Sequence, residues 1–379
     1  MTKNILITVG TRPEVIKLAP VVLKLRQHPD LYNVTLCNTE QQKELSNQAL
    51  SFFGLTADIK LDAMVPNQTL AQAQSALISK LSPLYGHRAY DATIVQGDTM
   101  SVFCGALSSF YNKVPVFHVE AGLRSHNLQE PYPEEGIRQM TARITDLHLC
   151  PTEKSRAALQ DEGITSEKIH VTGNTVVDAL FCLDNSYAHS SKKFLQNTGI
   201  AFDKKIVLIT AHRRENHGPR LDQIIQAIQT LSQSYPDHQF IIPVHPNPHV
   251  KDKIAYAFDN QDNVILTSPL DYPHLVCLMR HASLILTDSG GIQEEAPSFG
   301  VPVLVLRHET ERIEGVEAGV SKLVGSDPNR IIAESIAVLD GKSNFSKSSQ
   351  NPYGDGKAAA KIKHAMDQFF SQMRNKSAP

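Results

Sequence analysis

Short apolar runs alternate with helical patterns from one end of the chain to the other, and most runs stop at a glycine or a charged side chain. The first run, Asn4 to Gly10, leads into a segment with Val15, Leu18, Val22 and Leu25 on one helical face. The rhythm continues through NVTLCNT, TLAQAQSALISKL, DATIVQGD, VPVFHVEAG, LHLCPT and KIHVTG. It resumes after a polar stretch with IVLITAHRREN, QFIIPVHPN, NVILTSP, LILTDSGG and VPVLVLRHET. Strands that are apolar along their whole length are buried on both faces. Strands that alternate with helices form parallel sheets with helices packed on both sides. The chain is therefore expected to be α/β.

At 379 residues the chain is too long for one ordinary core and long enough for two. The polar stretch Asn185 to Lys205 interrupts the rhythm and reads as a connection between domains. The expected division is a first Rossmann-like domain over 1–184, a connection over 185–205 and a second Rossmann-like domain over 206–356. The helix pattern over 357–379 follows no strand and is free to pack on either domain.

Charge narrows the function. With 37 basic and 39 acidic residues the net charge is -2, without the basic excess of a nucleic-acid binder. Five scattered cysteines form no C-x-x-C pair and read as buried, reduced thiols, which suits the cytoplasm. The N-terminal MTKNILITVG resembles a first strand rather than a signal peptide, and no run approaches the roughly 20 apolar residues of a membrane span.

In open parallel sheets ligands bind beyond the carboxyl ends of the strands. The first strand ends in Gly10-Thr11-Arg12-Pro13-Glu14, with Lys17 one turn on. Arg12 suits a bidentate phosphate contact, although Pro13 could merely start a helix beside a solvated arginine. DATIVQGD ends in Asp98, which as a lone aspartate reads as the N-cap of the next helix. Glu120 ends VPVFHVE, where a carboxylate calls for a partner, Arg124 or a substrate. Glu134 and Glu135 open a helix, where the helix dipole alone could account for them. In the second half the strand ends carry His212-Arg213-Arg214-Glu215, His245-Pro246-Asn247 and Asp288-Ser289-Gly290-Gly291. Ser289, Gly290 and Gly291 open a helix that could offer backbone N–H groups to a phosphate, with Glu295 toward ribose hydroxyls. A tight turn with acids matched to the dipole fits the same residues.

No G-x-G-x-x-G, G-x-x-x-x-G-K-[ST], H-E-x-x-H or G-x-S-x-G occurs. A nicotinamide cofactor, a P-loop, a zinc helix and a serine elbow are therefore not indicated, and no cofactor or metal is expected. The residues alone describe a two-domain enzyme for a phosphorylated or nucleotide ligand, with carboxylates and histidine moving protons.

Taken together, GTRPE, VQGDT, HVEAGLRS, PYPEE, PTE, VTGNTVVDAL, AHRREN, PVHPNP, TDSGGIQEEAPSFGVPVLVLR and ETERIEG resemble, in the same order, the non-hydrolysing UDP-N-acetylglucosamine 2-epimerases of bacteria. The resemblance runs from about Asn4 to Gly315 and implies a GT-B-like fold, two Rossmann-like domains facing an interdomain cleft, with the last helix returning to the first domain. It implies interconversion of UDP-GlcNAc and UDP-ManNAc through elimination of UDP to bound 2-acetamidoglucal, supplying ManNAc for capsule or other surface polysaccharide. It implies a homodimer as well. Asp98, Glu120 and Glu134 match the family's catalytic acids and His212 its catalytic histidine. Arg12 and Lys17 match cations near the phosphates, and Arg213, Ser289, Gly290, Gly291 and Glu295 match positions that hold UDP. Which carboxylate serves which face of C2 stays open at this level.

Two segments depart from the pattern. Many bacterial members are activated by UDP-GlcNAc bound beside the active site, where a Gln-His-Arg-like run is common. Here it reads Glu40-Gln41-Gln42-Lys43-Glu44, and the position before QTLA is Asn67 rather than basic. Both changes bear on whether that activation is kept. The competing readings are a GT-B glycosyltransferase using a UDP-sugar, a hydrolysing 2-epimerase releasing ManNAc and UDP, and a nucleotide-sugar sensor without catalysis.

Overall fold

A computed structural model describes residues 2–183, 185–211, 213–216, 218–244, 248–345 and 351–377. The chain divides into two compact units, one of residues 1–182 with 354–379 and one of residues 183–353.

The first unit is built on a parallel sheet of β1 (Lys3–Val9), β2 (Tyr32–Asn38), β3 (Ile59–Lys60), β4 (Ala92–Gln96), β5 (Val116–Val119), β6 (Leu147–Cys150) and β7 (Ile169–Val171). Its order is β3-β2-β1-β4-β5-β6-β7. The chain winds outward from β1 through β2 and β3, then returns to pair β4 with the other edge of β1. The direction of winding reverses between β1 and β4, and the loops leaving those two strands diverge around a crevice. Ile5, Leu6, Ile7, Ile94, Val95 and Phe117 are fully buried, so each strand is apolar on both faces.

Helix Ala358–Ser377 completes this unit. Asp178 accepts the Ala358 and Ala359 N–H groups at 3.1 and 2.9 Å and so caps its start. Phe369 and Phe370 pack against the Phe117 ring at centroid separations of 4.9 and 5.7 Å. The Tyr32 hydroxyl donates to Asp367 at 2.6 Å. Burial of a phenylalanine such as Phe117 contributes about 1.5–3 kcal/mol, so this helix is part of the core.

The second unit carries β8 (Ile206–Thr210), β9 (Gln239–Pro243), β10 (Val264–Thr267), β11 (Ala282–Thr287), β12 (Val303–Val305) and β13 (Ser321–Leu323), ordered β10-β9-β8-β11-β12-β13. All pair in parallel, and the winding reverses between β8 and β11. One apolar cluster, including Ile209, Ile228, Phe240, Leu284 and Leu304, joins this sheet to its helices.

The polar stretch 185–205 differs from the expected connection. Residues Asn185–Asn197 form a helix of the second unit. It packs on helix Tyr272–His281, where the Phe194 and His274 rings stack 4.1 Å apart. Ser191 and Leu195, one turn apart on the inward face of this helix, are buried.

Candidate functional site

Both switch points are lined by the strand-end residues. In the first unit the β1 loop turns through Gly10 into helix Arg12–Arg26. A Cβ at Gly10 would lie 2.2 Å from Thr39 Oγ1 and 2.3 Å from Ser101 Oγ, so only glycine lets the loop pass there. Glu14 lies in the first turn of that helix, completely enclosed. Its Oε2 accepts Gly10 N–H at 2.6 Å and Thr11 N–H at 3.2 Å, and its Oε1 accepts the Thr99 hydroxyl. Burial pushes its carboxyl up to about 7, although each of these hydrogen bonds favours the ionised form.

Thr99, not Asp98, caps helix Met100–Tyr111, its hydroxyl accepting Val102 N–H at 3.4 Å. Asp98 is thereby released from the capping role suggested by its position after Gly97. Its Oδ2 receives Arg138 Nε at 2.8 Å and Nη2 at 2.6 Å. Arg138 also reaches Glu135 at 3.3 Å. Glu135 is fully buried and accepts Ser125 N–H at 3.0 Å and Gln139 Nε2 at 3.0 Å. Burial raises its carboxyl, but those hydrogen bonds and the Arg138 charge outweigh it and leave the group below the usual range. Glu134, beside it at the start of helix Glu134–Arg143, is half-buried.

Glu120 follows β5 with φ of 63°, a left-handed conformation that a residue with a side chain rarely adopts. Such strain costs on the order of 1–3 kcal/mol and collects at functional sites. Its carboxylate receives the Lys17 ammonium on one oxygen and the Gln96 amide on the other. Arg124 is not its partner: that guanidinium grips Glu162 through Nε at 2.5 Å and Nη2 at 3.0 Å. Lys17, matched by resemblance to the phosphates, thus has its ammonium on a candidate acid. Arg12 makes no side-chain bond among the described residues, and its backbone N–H donates to Gln42 at 3.2 Å. The altered segment also frames this mouth, since Gln41 accepts Ser101 N–H and Oγ at 3.1 and 2.7 Å.

In the second unit Asp288 ends β11, and its Oδ2 accepts Arg213 N–H at 2.8 Å and Asn216 Nδ2 at 3.0 Å from the loop after β8. Ser289 precedes a short helix, Gly290–Glu295, which continues as a 3-10 turn over Ala296–Phe299. A Cβ at Gly290 would lie 2.9 Å from Arg312 Cζ. Arg312 binds Glu294 at 2.9 Å and Glu311 at 3.2 Å. Glu311 binds Arg307 at 3.1 Å, and Arg307 binds Glu215 at 2.6 Å. A chain of alternating charges therefore runs from the Gly290 helix to the β8 loop. Glu295 is buried, and Arg213 and Ser289 are half-buried. His212 and His245-Pro246-Asn247 lie outside the described residues.

Sequence reading missed Gln96 and Arg138, and it gave Glu14 and Glu135 no role in the site. Gln96 carried a signal, as the polar end of a buried strand. Arg138 carried a weaker one, three residues after Glu135 on one helix face. Among the described residues no group of three or more His, Cys, Asp or Glu side chains could hold a metal ion, and no helix is long and apolar enough to cross a membrane.

Two parallel sheets, each with polar side chains gathered where its winding reverses, define an α/β protein of GT-B-like fold. The family model for UDP-N-acetylglucosamine 2-epimerase matches residues 23–367. The UDP-N-acetylglucosamine 2-epimerase of Neisseria meningitidis serogroup A is 43% identical over 361 residues, covering 94% of this chain and 97% of the relative. That of Salmonella typhimurium is 40% identical over 372 residues, covering 97% and 99%. The crystal structure of UDP-GlcNAc 2-epimerase from Neisseria meningitidis bound to UDP-GlcNAc is 41% identical, with a TM-score of 0.88 over 96% of this chain and 100% of that one. This chain belongs to the UDP-N-acetylglucosamine 2-epimerase family.

Proposed function

We propose that the chain interconverts UDP-GlcNAc and UDP-ManNAc by the non-hydrolysing route. In this reading the C1–O bond breaks with its electron pair leaving on the β-phosphate, and the C2 proton passes to a carboxylate. A C1–C2 double bond forms, giving 2-acetamidoglucal that stays bound. A second acid then delivers a proton to the other face of C2 as the phosphate oxygen returns to C1, and the two acids regain their protonation states by exchange with water. C2–H has no adjacent carbonyl, so positive charge developing at C1 must acidify it. Stabilising the leaving group and moving the proton are therefore one task.

The observation that carries this reading is the pair of polarised carboxylates at one mouth, Glu120 held by Lys17 and Asp98 held by Arg138. Inversion needs proton chemistry on both faces of C2, hence more than one carboxylate, and Glu134 is the third candidate. Arg12 is assigned to the leaving phosphates, and His212 to the diphosphate by resemblance. Arg213, Ser289, Gly290, Gly291 and Glu295 are assigned to UDP, with Asp288 and the charge chain fixing their loops. No cofactor is assigned. The product would supply ManNAc for surface polysaccharide, with the chain working as a cytoplasmic homodimer.

Proton NMR of the protein with UDP-GlcNAc in D₂O tests this. UDP-ManNAc with deuterium at C2 of both epimers is the expected result. Free ManNAc would instead establish the hydrolysing reaction, and a retained C2 proton with no new epimer would sink the proposal. Asp98→Asn should keep UDP affinity within about threefold while turnover falls by about 10²–10⁴.

A further inference from the structure

Glu14 spans the switch point of the first sheet. One oxygen holds the two N–H groups of the β1 loop, Gly10 and Thr11, and the other holds the Thr99 hydroxyl of the β4 loop. The next residue after Thr11 is Arg12, and the residue before Thr99 is Asp98. The two loops are otherwise tied through Gln41 and Gln42, which bond Ser101 and Arg12 N–H from the neighbouring β2 loop. The second unit repeats the device with Asp288, whose single oxygen joins the β11 end to Arg213 and Asn216. In each unit a buried acid stitches the loops that diverge at the reversal.

We infer that Glu14 is a positioning residue that fixes Asp98 relative to Arg12, so that proton transfer at C2 and departure of the phosphate at C1 occur in register. The inference rests on the epimerase reading. Glu14 touches no reacting atom, because it is enclosed by its own loops. Its contribution is geometric rather than ionic: burial at this site disfavours the carboxylate's charge, and the three bonds need one acceptor toward the N–H groups and one polar atom toward Thr99. A glutamine meets both needs, its carbonyl accepting from Gly10 and Thr11 and its amide donating to the Thr99 hydroxyl.

The test is steady-state epimerisation by full-length wild type, Glu14→Ala and Glu14→Gln, with thermal unfolding of each. Glu14→Ala should lower kcat by about 100-fold while KM for UDP-GlcNAc moves by less than about threefold, as a misplacement near 1 Å does. Glu14→Gln should restore kcat to within about threefold of wild type. If Glu14→Ala does not fold, Thr99→Val removes the other end of the stitch and should lower kcat by about 10-fold at constant KM. An unchanged kcat in Glu14→Ala, or in Thr99→Val where that variant is needed, overturns the inference, as does a Glu14→Gln as impaired as Glu14→Ala. Absence of C2 exchange by wild type would remove the epimerase reading and the inference with it. Turnover by wild type alongside an unaffected Glu14→Ala would remove the inference alone.

Discussion

Lys17 and Glu120, 103 residues apart, form an ion pair whose side chains are only 10% and 7% exposed. The pair joins helix Arg12–Arg26 to the left-handed residue that ends β5, so it holds the strained backbone as well as the charge. Lys17→Met removes the ammonium and leaves the carboxylate buried. Removing one partner of such a pair costs about 3–5 kcal/mol. Urea unfolding should show that loss, and Lys17→Met with Glu120→Gln should recover part of it. A single-variant loss below about 1 kcal/mol would show the pair to be solvated, as exposed pairs are.

Glu311 sits between Arg312 and Arg307 in the chain of charges linking the Gly290 helix to the β8 loop. Burial raises its carboxyl, but the Arg312 and Arg307 charges outweigh that and bring it down to about 2. A depressed carboxyl contributes stability that is present above its ordinary 4.5 and is lost as pH falls toward about 2. Glu311→Gln should therefore destabilise most at neutral pH, and the difference from wild type should close near pH 2. Calorimetric titration with UDP should show affinity reduced by about tenfold, about 1.4 kcal/mol. Unchanged affinity would mean the loops hold their places without the chain.

His148 lies on β6 with no exposed surface, and among the described residues neither ring nitrogen has a hydrogen-bond partner. Burial, and then the neighbouring His118, lower its pKa to about 3. His118 itself is lowered to about 4, again chiefly by burial. Both imidazoles are neutral when folded, so the stability they contribute is present above their ordinary 6.5 and is lost as pH falls through these values. His148→Leu should shift the acid-unfolding midpoint, followed by circular dichroism, downward by about 0.5–1 pH unit. A midpoint that stays or rises would locate the acid sensitivity elsewhere.

The sheets were legible because buried parallel strands leave uninterrupted apolar runs, as in β1, β4 and β8. The mouths were legible because those runs end in charge. Pairing was not. Nothing local to Glu120 names Lys17, and the nearby Arg124 is taken by Glu162, the residue that follows helix Glu153–Asp161. Asp98 sits beside a better cap, Thr99, and which of two adjacent polar residues turns inward is decided by the tertiary partner Arg138. Asn351 lies in no helix or strand, yet it bonds Glu294 O and Ser298 Oγ at 2.8 and 2.7 Å. Nearby, the Tyr353 hydroxyl bridges Arg312 O and Gly315 N–H at 2.9 and 3.0 Å. Such lacing has no periodicity and leaves no pattern to find.

Helix Ala358–Ser377 belongs to the first unit although the whole second unit precedes it in the chain. During synthesis the second unit therefore emerges in one piece and can close while the first still lacks a wall. Phe117 and Tyr32, already made, wait more than two hundred residues for Phe369, Phe370 and Asp367. Domains ordinarily mature from the N-terminus onward. Here the half bearing Asp98 and Glu120 can be completed only after the whole second unit has been made.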